Sequence, residues 1–411
     1  MVLKEFEFLQ YKDEKKENHI KEDSFNSIEK FVLENEQTAQ YLKITSKKGF
    51  GKVLQAQNYV GLIQTKDGTT IEILPKIRNI DDEKSKEILL KMLKTLKNSP
   101  FKNFNIANLK SRKMPLLEIF ISMFLEELAK LIRKGIKSDY LQKEENLKFL
   151  KGKLKIKEQI KQNYIHKERF FVEFDEFLSN RVENRLIKST LKYLYKKSKL
   201  NINQQKIREF LFVFDEVEES KSIKTDFEKV KPNRAMRDYE QVLLWSRTFL
   251  LENSFSPYKG ENIAFALLFD MNLLFESYVY DYLRKSGKFE EIKAQDKTHH
   301  LAYEKNIGRF RLKPDIVINK GEIIADTKWK LLSFEKSNNG ISQTDIYQLY
   351  AYGTKYKNCQ NLYLIYPYDD VNLENSYHYF KDNDKDKIKD LQLDILFFDL
   401  DDTKFVGQSL N

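Results

Sequence analysis

Two aspartates and a lysine in the last quarter of the chain have the types and spacing for chemistry on a phosphate. Asp315 follows Pro314 and opens the run Ile316-Val317-Ile318. Asn319-Lys320-Gly321 reads as a turn, and Ile323-Ile324-Ala325 leads into Asp326-Thr327-Lys328. Short runs rich in β-branched residues on either side of a Gly-containing turn predict two paired strands. Alternate side chains of a strand share a face, so Asp326 and Lys328 point the same way. A hard cation such as Mg2+ is held by one or two carboxylates together with phosphate and water. Such an ion polarises a phosphoryl oxygen and acidifies bound water, and a nearby ammonium offsets charge growing on the phosphate. Asp315 and Asp326 are therefore candidate Mg2+ ligands, with Lys328 as their electrostatic partner. The Asp-x-Lys triplet alone is a weak signal, because 62 acids and 72 bases generate many such triplets on solvated surface. Its place at the end of an apolar strand singles it out.

Two helices are expected to flank this hairpin. Asn272 to Leu283 carries Leu273, Leu274, Tyr278, Val279 and Tyr282 at helical intervals, and its Glu276 is a further candidate carboxylate for the metal. Ser342 to Gly353 begins on an N-cap residue and ends at Gly. Gln348 and Tyr352 lie four apart there, on one helix face. By spacing alone, Glu276 fits an exposed helix acid equally well, and the tyrosines fit a packed aromatic face better. A buried strand, Asn361 to Pro367, follows. Helix, hairpin, helix and strand form an α/β layout whose loops at the strand ends carry the chemistry.

This order of motifs resembles the PD-(D/E)XK nuclease fold, and the Gln348-x-x-x-Tyr352 pattern resembles an extra motif of its RecB-like branch. Nearly the whole chain resembles McrC, the nuclease subunit family of McrBC-type modification-dependent restriction systems. The segments that carry this likeness are Asn58 to Ile63, Ile71 to Ile77, Gly135 to Tyr140, Glu144-Glu145-Asn146 with Leu150 to Leu154, Phe174-Asp175-Glu176 with Asn184-Arg185, and Met271 to Glu276. The resemblance implies a Mg2+-dependent endonuclease acting on modified, methylcytosine-type double-stranded DNA in phage defence. It implies Asp315 and Asp326 as metal ligands, Lys328 beside the nucleophile, and supporting roles for Glu276 and Gln348. It also implies a partner, an AAA+ GTPase of the McrB type, that this chain binds through its N-terminal half and stimulates.

Composition sets outer bounds. A chain of 411 residues with 41% hydrophobic content is expected to build two or three domains. One cysteine, Cys359, excludes an internal disulfide and a Cys-based zinc cluster and fits a reducing cytoplasm. Neither a signal-peptide pattern nor a membrane-spanning run is visible, since Leu116 to Ile132 is interrupted by Glu118, Glu126, Glu127 and Lys130. His299-His300 has no ligand-spaced partner and reads as loop or edge strand. Lys48 to Lys52 lacks the spacing and hydroxyl residue of a phosphate loop, so no nucleotide-binding motif is assigned. Residues 91–170 hold 20 Lys and Arg against 8 Asp and Glu, a larger excess than the net +10 of the whole chain. Such a stretch can track a DNA backbone. Lys148, Lys151, Lys153, Lys155 and Lys157 are its densest part, the last four alternating like one face of a strand.

Three domains are expected: a β-rich domain over 1–84 for partner binding, a mainly helical basic region over 85–250, and a restriction-endonuclease-like α/β domain over 251–411. Strands are expected at Tyr59 to Thr65 and Thr69 to Ile77 around an Asp67-Gly68 turn, with Pro75 ending the second run or placing it at an edge. Helices are expected at Glu87 to Leu96, Pro115 to Lys134, Val182 to Leu200 and Asp238 to Leu251. Residues 252–264 read as a loop, Lys381 to Lys389 as a solvated linker or helix, and Phe405 to Asn411 as a fraying end. Two other functions stand beside the restriction subunit: a RecB-like nuclease acting alone in DNA repair, and a binding module with an idle site that activates a ring NTPase.

Overall fold

The computed structural model describes residues 1–33, 38–97, 99–102, 114–231, 234–251, 263–333, 335–369, 376–379, 391–408 and 410. The chain divides into two compact units, Met1–Lys113 with Gly260–Asn411, and Met114–Lys259. Among the described residues no helix is long and apolar enough to cross a membrane.

The first unit opens with β1 (Val2–Lys4), β2 (Phe8–Leu9), helix α1 (Glu22–Leu33), β3 (Leu42–Lys47), β4 (Gly51–Ala56), β5 (Tyr59–Thr65), β6 (Thr70–Leu74) and helix α2 (Asp82–Leu93). β5 and β6 form the expected antiparallel hairpin, and β1 lies parallel to β6 on its other side. β6 stops at Leu74, before Pro75, and is an internal strand. The Lys48–Lys52 stretch forms the turn between β3 and β4 and the first two residues of β4, where Lys47 stands opposite Gly51. Helix α1 lies within the segment expected to be β-rich. Its Phe25, Ile28, Phe31 and Val32 are buried.

The second unit contains α3 (Leu116–Lys134), β7 (Asp139–Leu147), β8 (Lys153–Leu154), α4 (Ile156–Asn163), β9 (Phe170–Leu178), α5 (Val182–Lys197), α6 (Asn201–Val213), α7 (Ile223–Lys229) and α8 (Glu240–Leu250). Its helical core is aromatic: the Phe120 and Trp245 rings lie 6.3 Å apart, and Trp245 stacks on Phe249 at 5.5 Å. Buried Glu118 of α3 accepts hydrogen bonds from Ser198, Lys199 N, Leu200 N and Asn203, which satisfies donors at the start of α6. The region is less helical than its periodicity suggests, because β7, β9 and β8 form a three-stranded ribbon. The lysine run is not one strand face either. Gly152 at φ +71° breaks the strand, only Lys153–Leu154 pair with β9, and Lys157 lies in α4. Lys155 pairs with Glu144 and Glu173, and Lys151 lies over the Phe174 ring.

The chain returns to the first unit with β10 (Ile263–Asp270), α9 (Met271–Ser286), β11 (Ile292–Ala294), β12 (His300–Glu304), β13 (Ile307–Arg311), β14 (Ile316–Ile318), β15 (Ile323–Thr327), α10 (Gln343–Lys355), β16 (Asn361–Pro367), β17 (Ser376–Tyr379), β18 (Leu391–Asp399) and β19 (Lys404–Val406). β10 pairs antiparallel with β5, giving the sheet β1-β6-β5-β10. Gly61 makes this closeness feasible: it holds φ +134°, and a Cβ there would stand 2.0 Å from Leu267 O. Segments expected as separate domains, 1–84 and 251–411, thus share one compact unit and one sheet. Most of the expected loop at 252–264 lies outside the described residues, as does Lys381–Lys389. Phe405 lies in β19, paired with β18, rather than in a fraying end.

The larger sheet has the order β11-β14-β15-β16-β18-β17, with β19 on β18. β14 and β15 are antiparallel, whereas β15, β16 and β18 run parallel. Val317, Ile324, Leu362, Leu364 and Phe397 cluster with Leu349 and Tyr352 of α10. The neighbouring Phe398 packs edge-on against Phe275, Tyr278 and Tyr282 of α9. Since successive side chains alternate faces, α9 and α10 cover opposite sides of the sheet. Helix α10 begins on its Ser342 cap as expected but runs past Gly353 to Lys355. Gly353 serves packing there, because a Cβ would come within 2.7 Å of Leu391.

Candidate active site

The β14–β15 register pairs Ile316 with Ala325, and continued by one residue it sets Asp315 across from Asp326. Both carboxylates lie on the α10 face of the sheet. Asp326 is 2% exposed. Thr327 fixes Asp315, donating to its Oδ2 from the backbone N–H at 2.8 Å and from Oγ1 at 2.7 Å. Lys328 Nζ stands 2.6 Å from Asp326 Oδ2 as an ion pair, not an aligned hydrogen bond. It also lies 3.6 Å from Asp345 and donates to Gln348 Oε1 at 3.2 Å. Gln348 in turn donates to the Tyr352 hydroxyl at 2.6 Å. On α9, Glu276 Oε2 accepts from Gln295 Nε2 at 3.2 Å, and Gln295 N donates to the Asp315 carbonyl at 2.8 Å.

All five residues singled out in the sequence, Asp315, Asp326, Lys328, Glu276 and Gln348, therefore meet at the ends of β14 and β15. Of the tyrosines expected to form a packed aromatic face on α10, Tyr352 is packed in the core, whereas Tyr347 and Tyr350 are exposed.

The electrostatics reflect crowded acids. Burial pushes the Asp326 carboxyl up to about 7, the charge of Asp315 adds to it, and Lys328 opposes it. Burial and then Asp315 push Glu276 up to about 7, against the hydrogen bond from Gln295. Asp315 is also raised by burial, although the two Thr327 hydrogen bonds and Lys328 pull it down. Burial alone would lower the Lys328 ammonium, but Asp326 outweighs it and the net shift is upward. Burial is the largest cause for all three acids, and the charge of Asp315 adds to it at both Asp326 and Glu276.

This donor set fits a hard divalent cation. Among the described residues no three His, Cys, Asp or Glu side chains form a preset metal cage. Mg2+ does not need one, since it keeps water and substrate phosphate in its shell and uses one or two carboxylates. Asp315 and Asp326, with Glu276 beside them, supply carboxylate oxygens and no softer ligand.

Spacing alone did not reveal four participants. Asp345 lies one helical turn before Gln348, a detectable i, i+3 relation. Thr327 sits inside the triplet itself. Gln295 and Lys313, whose charge lowers the proton affinity of Glu276 and Asp315, carry no local signal.

Comparison with known proteins gives the family and the fold. A family model described as McrBC 5-methylcytosine restriction system component matches residues 54–367. The chain belongs to that McrBC family. Within the family, the Type IV methyl-directed restriction enzyme EcoKMcrBC of Escherichia coli (strain K12) is 24% identical over 288 residues, covering 64% of this chain and 80% of that protein. Two solved structures from Thermococcus gammatolerans share the fold. A chain of the refined half-complex from a tetradecameric assembly of McrB AAA+ hexamers with bound McrC superposes with a TM-score of 0.67 at 20% identity, covering 97% of this chain and 94% of that one. A chain of the cryo-EM structure of the McrBC complex gives a TM-score of 0.51 at 21% identity, over 71% and 89%. The family read from the ordered motifs is thus the one the chain belongs to.

Proposed function

We propose that this chain is the nuclease subunit of a McrBC-type restriction complex. In this reading it cuts methylcytosine-type double-stranded DNA with Mg2+, working with a McrB-type AAA+ GTPase that it binds and stimulates. The observation that carries the reading is the convergence of Asp315, Asp326, Lys328, Glu276 and Gln348 at one sheet end. A restriction-endonuclease-like PD-(D/E)XK reading of the domain is supported by the mixed sheet with α9 and α10 on its two faces. The partner is supported by the McrB hexamers of the structural relatives, and DNA modification by the family description.

Asp315 and Asp326 would hold the cation, with Glu276 as a third carboxylate within its field. Mg2+, when bound, supplies polarisation of a phosphoryl oxygen and a more acidic water. The chain's own residues do the rest. Thr327 locks Asp315, so that its free oxygen keeps one direction. Lys328, held by Asp326 and Gln348, presents a positive charge that offsets negative charge growing on the phosphate. Gln348, itself oriented by Tyr352, gives that ammonium a second partner beside Asp326.

The deciding experiment reconstitutes the chain with its McrB-type partner on methylated DNA. Asp326→Ala is expected to abolish cutting while partner binding and stimulated GTP hydrolysis persist. Undiminished cutting by that variant would refute the assignment.

A further inference from the structure

Strands β12 and β13 form a two-stranded ribbon that pairs with no other strand among the described residues. Its turn, Lys305-Asn306, has φ +46° and +68°, as a tight two-residue hairpin requires. The ribbon is unusual in what it exposes: Tyr303 is 66% exposed, Phe310 75% and Ile307 59%. Phe310 also takes φ +52°, a conformation that a bulky side chain rarely adopts. From Lys297 to Lys313 the bases are Lys297, Lys305, Arg309, Arg311 and Lys313, against the single acid Glu304. Glu304 pairs with Arg309. Exposed aromatics among cations, with little negative charge, match a polyanion that also offers apolar surface.

Both legs of the ribbon are rooted in the candidate active site. The incoming leg follows Gln295, which touches Glu276 and Asp315. Its base is pinned to the helix that carries Gln348 by the Tyr356 hydroxyl, which donates to Asp296 at 2.6 Å, and by the His299 ring, 4.1 Å from that of Tyr356. The outgoing leg reaches Asp315 through Leu312-Lys313-Pro314, and Leu312 N donates to His299 O at 2.9 Å, closing the neck.

We infer that the His300–Arg311 ribbon is a duplex-DNA contact that enters a groove beside the phosphate to be cut, with Tyr303 and Phe310 against bases or sugars and Lys305 and Arg311 at flanking phosphates. A DNA major groove admits a two-stranded ribbon. A ribbon of this kind supplies apolar contact together with phosphate neutralisation. The inference rests on the nuclease reading and adds to it the element that grips the substrate.

The test uses the full chain carrying Asp326→Asn, so that DNA is bound and not cut, with anisotropy of a labelled methylated duplex measured across a salt series. Adding Tyr303→Ala with Phe310→Ala is expected to weaken binding at least about fivefold with little change in salt slope. Adding Lys305→Ala with Arg311→Ala is expected to reduce the log–log salt slope by about two. Both double variants, in an otherwise unmodified chain assembled with the partner, are expected to cut poorly yet stimulate GTP hydrolysis normally. Wild-type duplex affinity in both double variants would overturn the inference alone. Lost partner stimulation with intact DNA affinity would overturn it too, making the ribbon a protein contact. Cutting that persists in Asp326→Asn would remove the nuclease reading, and the inference with it.

Discussion

Glu5 and Trp329, 324 residues apart, meet in the first unit: the indole Nε1–H lies 3.1 Å from both oxygens of the Glu5 carboxyl. Glu5 follows β1 and is fully buried, and it also accepts from Lys76 N at 3.0 Å. Trp329 follows Lys328 directly, and its ring packs edge-on against Phe275 of α9 at 5.6 Å. The N-terminal strands thus hold the backbone that leaves the candidate catalytic lysine.

This contact sets a pH dependence. Burial pushes the Glu5 carboxyl from 4.5 up to about 8, although hydrogen bonds from Lys76 and Trp329 oppose the shift. The folded chain therefore binds a proton that the unfolded chain releases. The stabilisation is complete below about 4.5 and is lost as pH rises through about 8. Glu5→Gln, which stays neutral, should flatten the fall of the thermal midpoint between pH 5 and 8 and raise the midpoint above pH 8. An unchanged pH profile in the variant would contradict the assignment.

Proton and metal should compete at the candidate site. Glu276 and Asp326, both pushed up to about 7, carry protons at pH 6 that a cation must displace. The Mg2+ concentration for half-maximal cutting should therefore fall as pH rises from 6 to 8 and then level off. Lys328→Met removes the charge that favours ionised Asp326 and should move this curve to higher pH, besides lowering the rate. Titrating Mg2+ at each pH reads both effects.

Thr327→Val removes the hydroxyl that donates to Asp315 and keeps the backbone donor. Outer partners of metal ligands typically matter by about 10–100-fold. Cutting should fall by that order with a raised Mg2+ requirement, while duplex affinity without metal stays within about twofold. Equal activity would show that the backbone N–H alone holds Asp315.

Gly61→Ala probes the seam between β5 and β10. The added Cβ would meet Leu267 O at 2.0 Å on a backbone at φ +134°. Overpacking of this kind costs at least about 1–3 kcal/mol. A lowered thermal midpoint and a weakened site are expected together, since β10 leads directly into α9 and Glu276. A midpoint equal to that of the parent would show that the sheet can slide to make room.

The arrangement of the candidate site was legible where it is local. β14, β15, α9, α10 and β16 lie close to where their apolar periodicities put them, because each buries one face or both in a short stretch of chain. Asp315, Asp326 and Lys328 could be found because the strand alternation that buries Ile324 also turns Asp326 and Lys328 the same way. The lysine run from 148 to 157 misled for the complementary reason. Alternating charge mimics a strand face, while the break comes from Gly152 and the start of α4, and Lys151 and Lys155 turn to Glu144, Glu173 and Glu176.

The sequence by itself determined the family, through motifs kept in order, and the residue types able to hold a hard cation, through spacing along single elements. Tertiary structure alone decided that β10 joins β5, that Glu5 reaches Trp329, and that Asp345 and Gln295 join the candidate site. The physical reason is that such contacts depend on strand pairing and packing between segments hundreds of residues apart. Hydrophobic period and turn chemistry report only on the neighbours within a few residues.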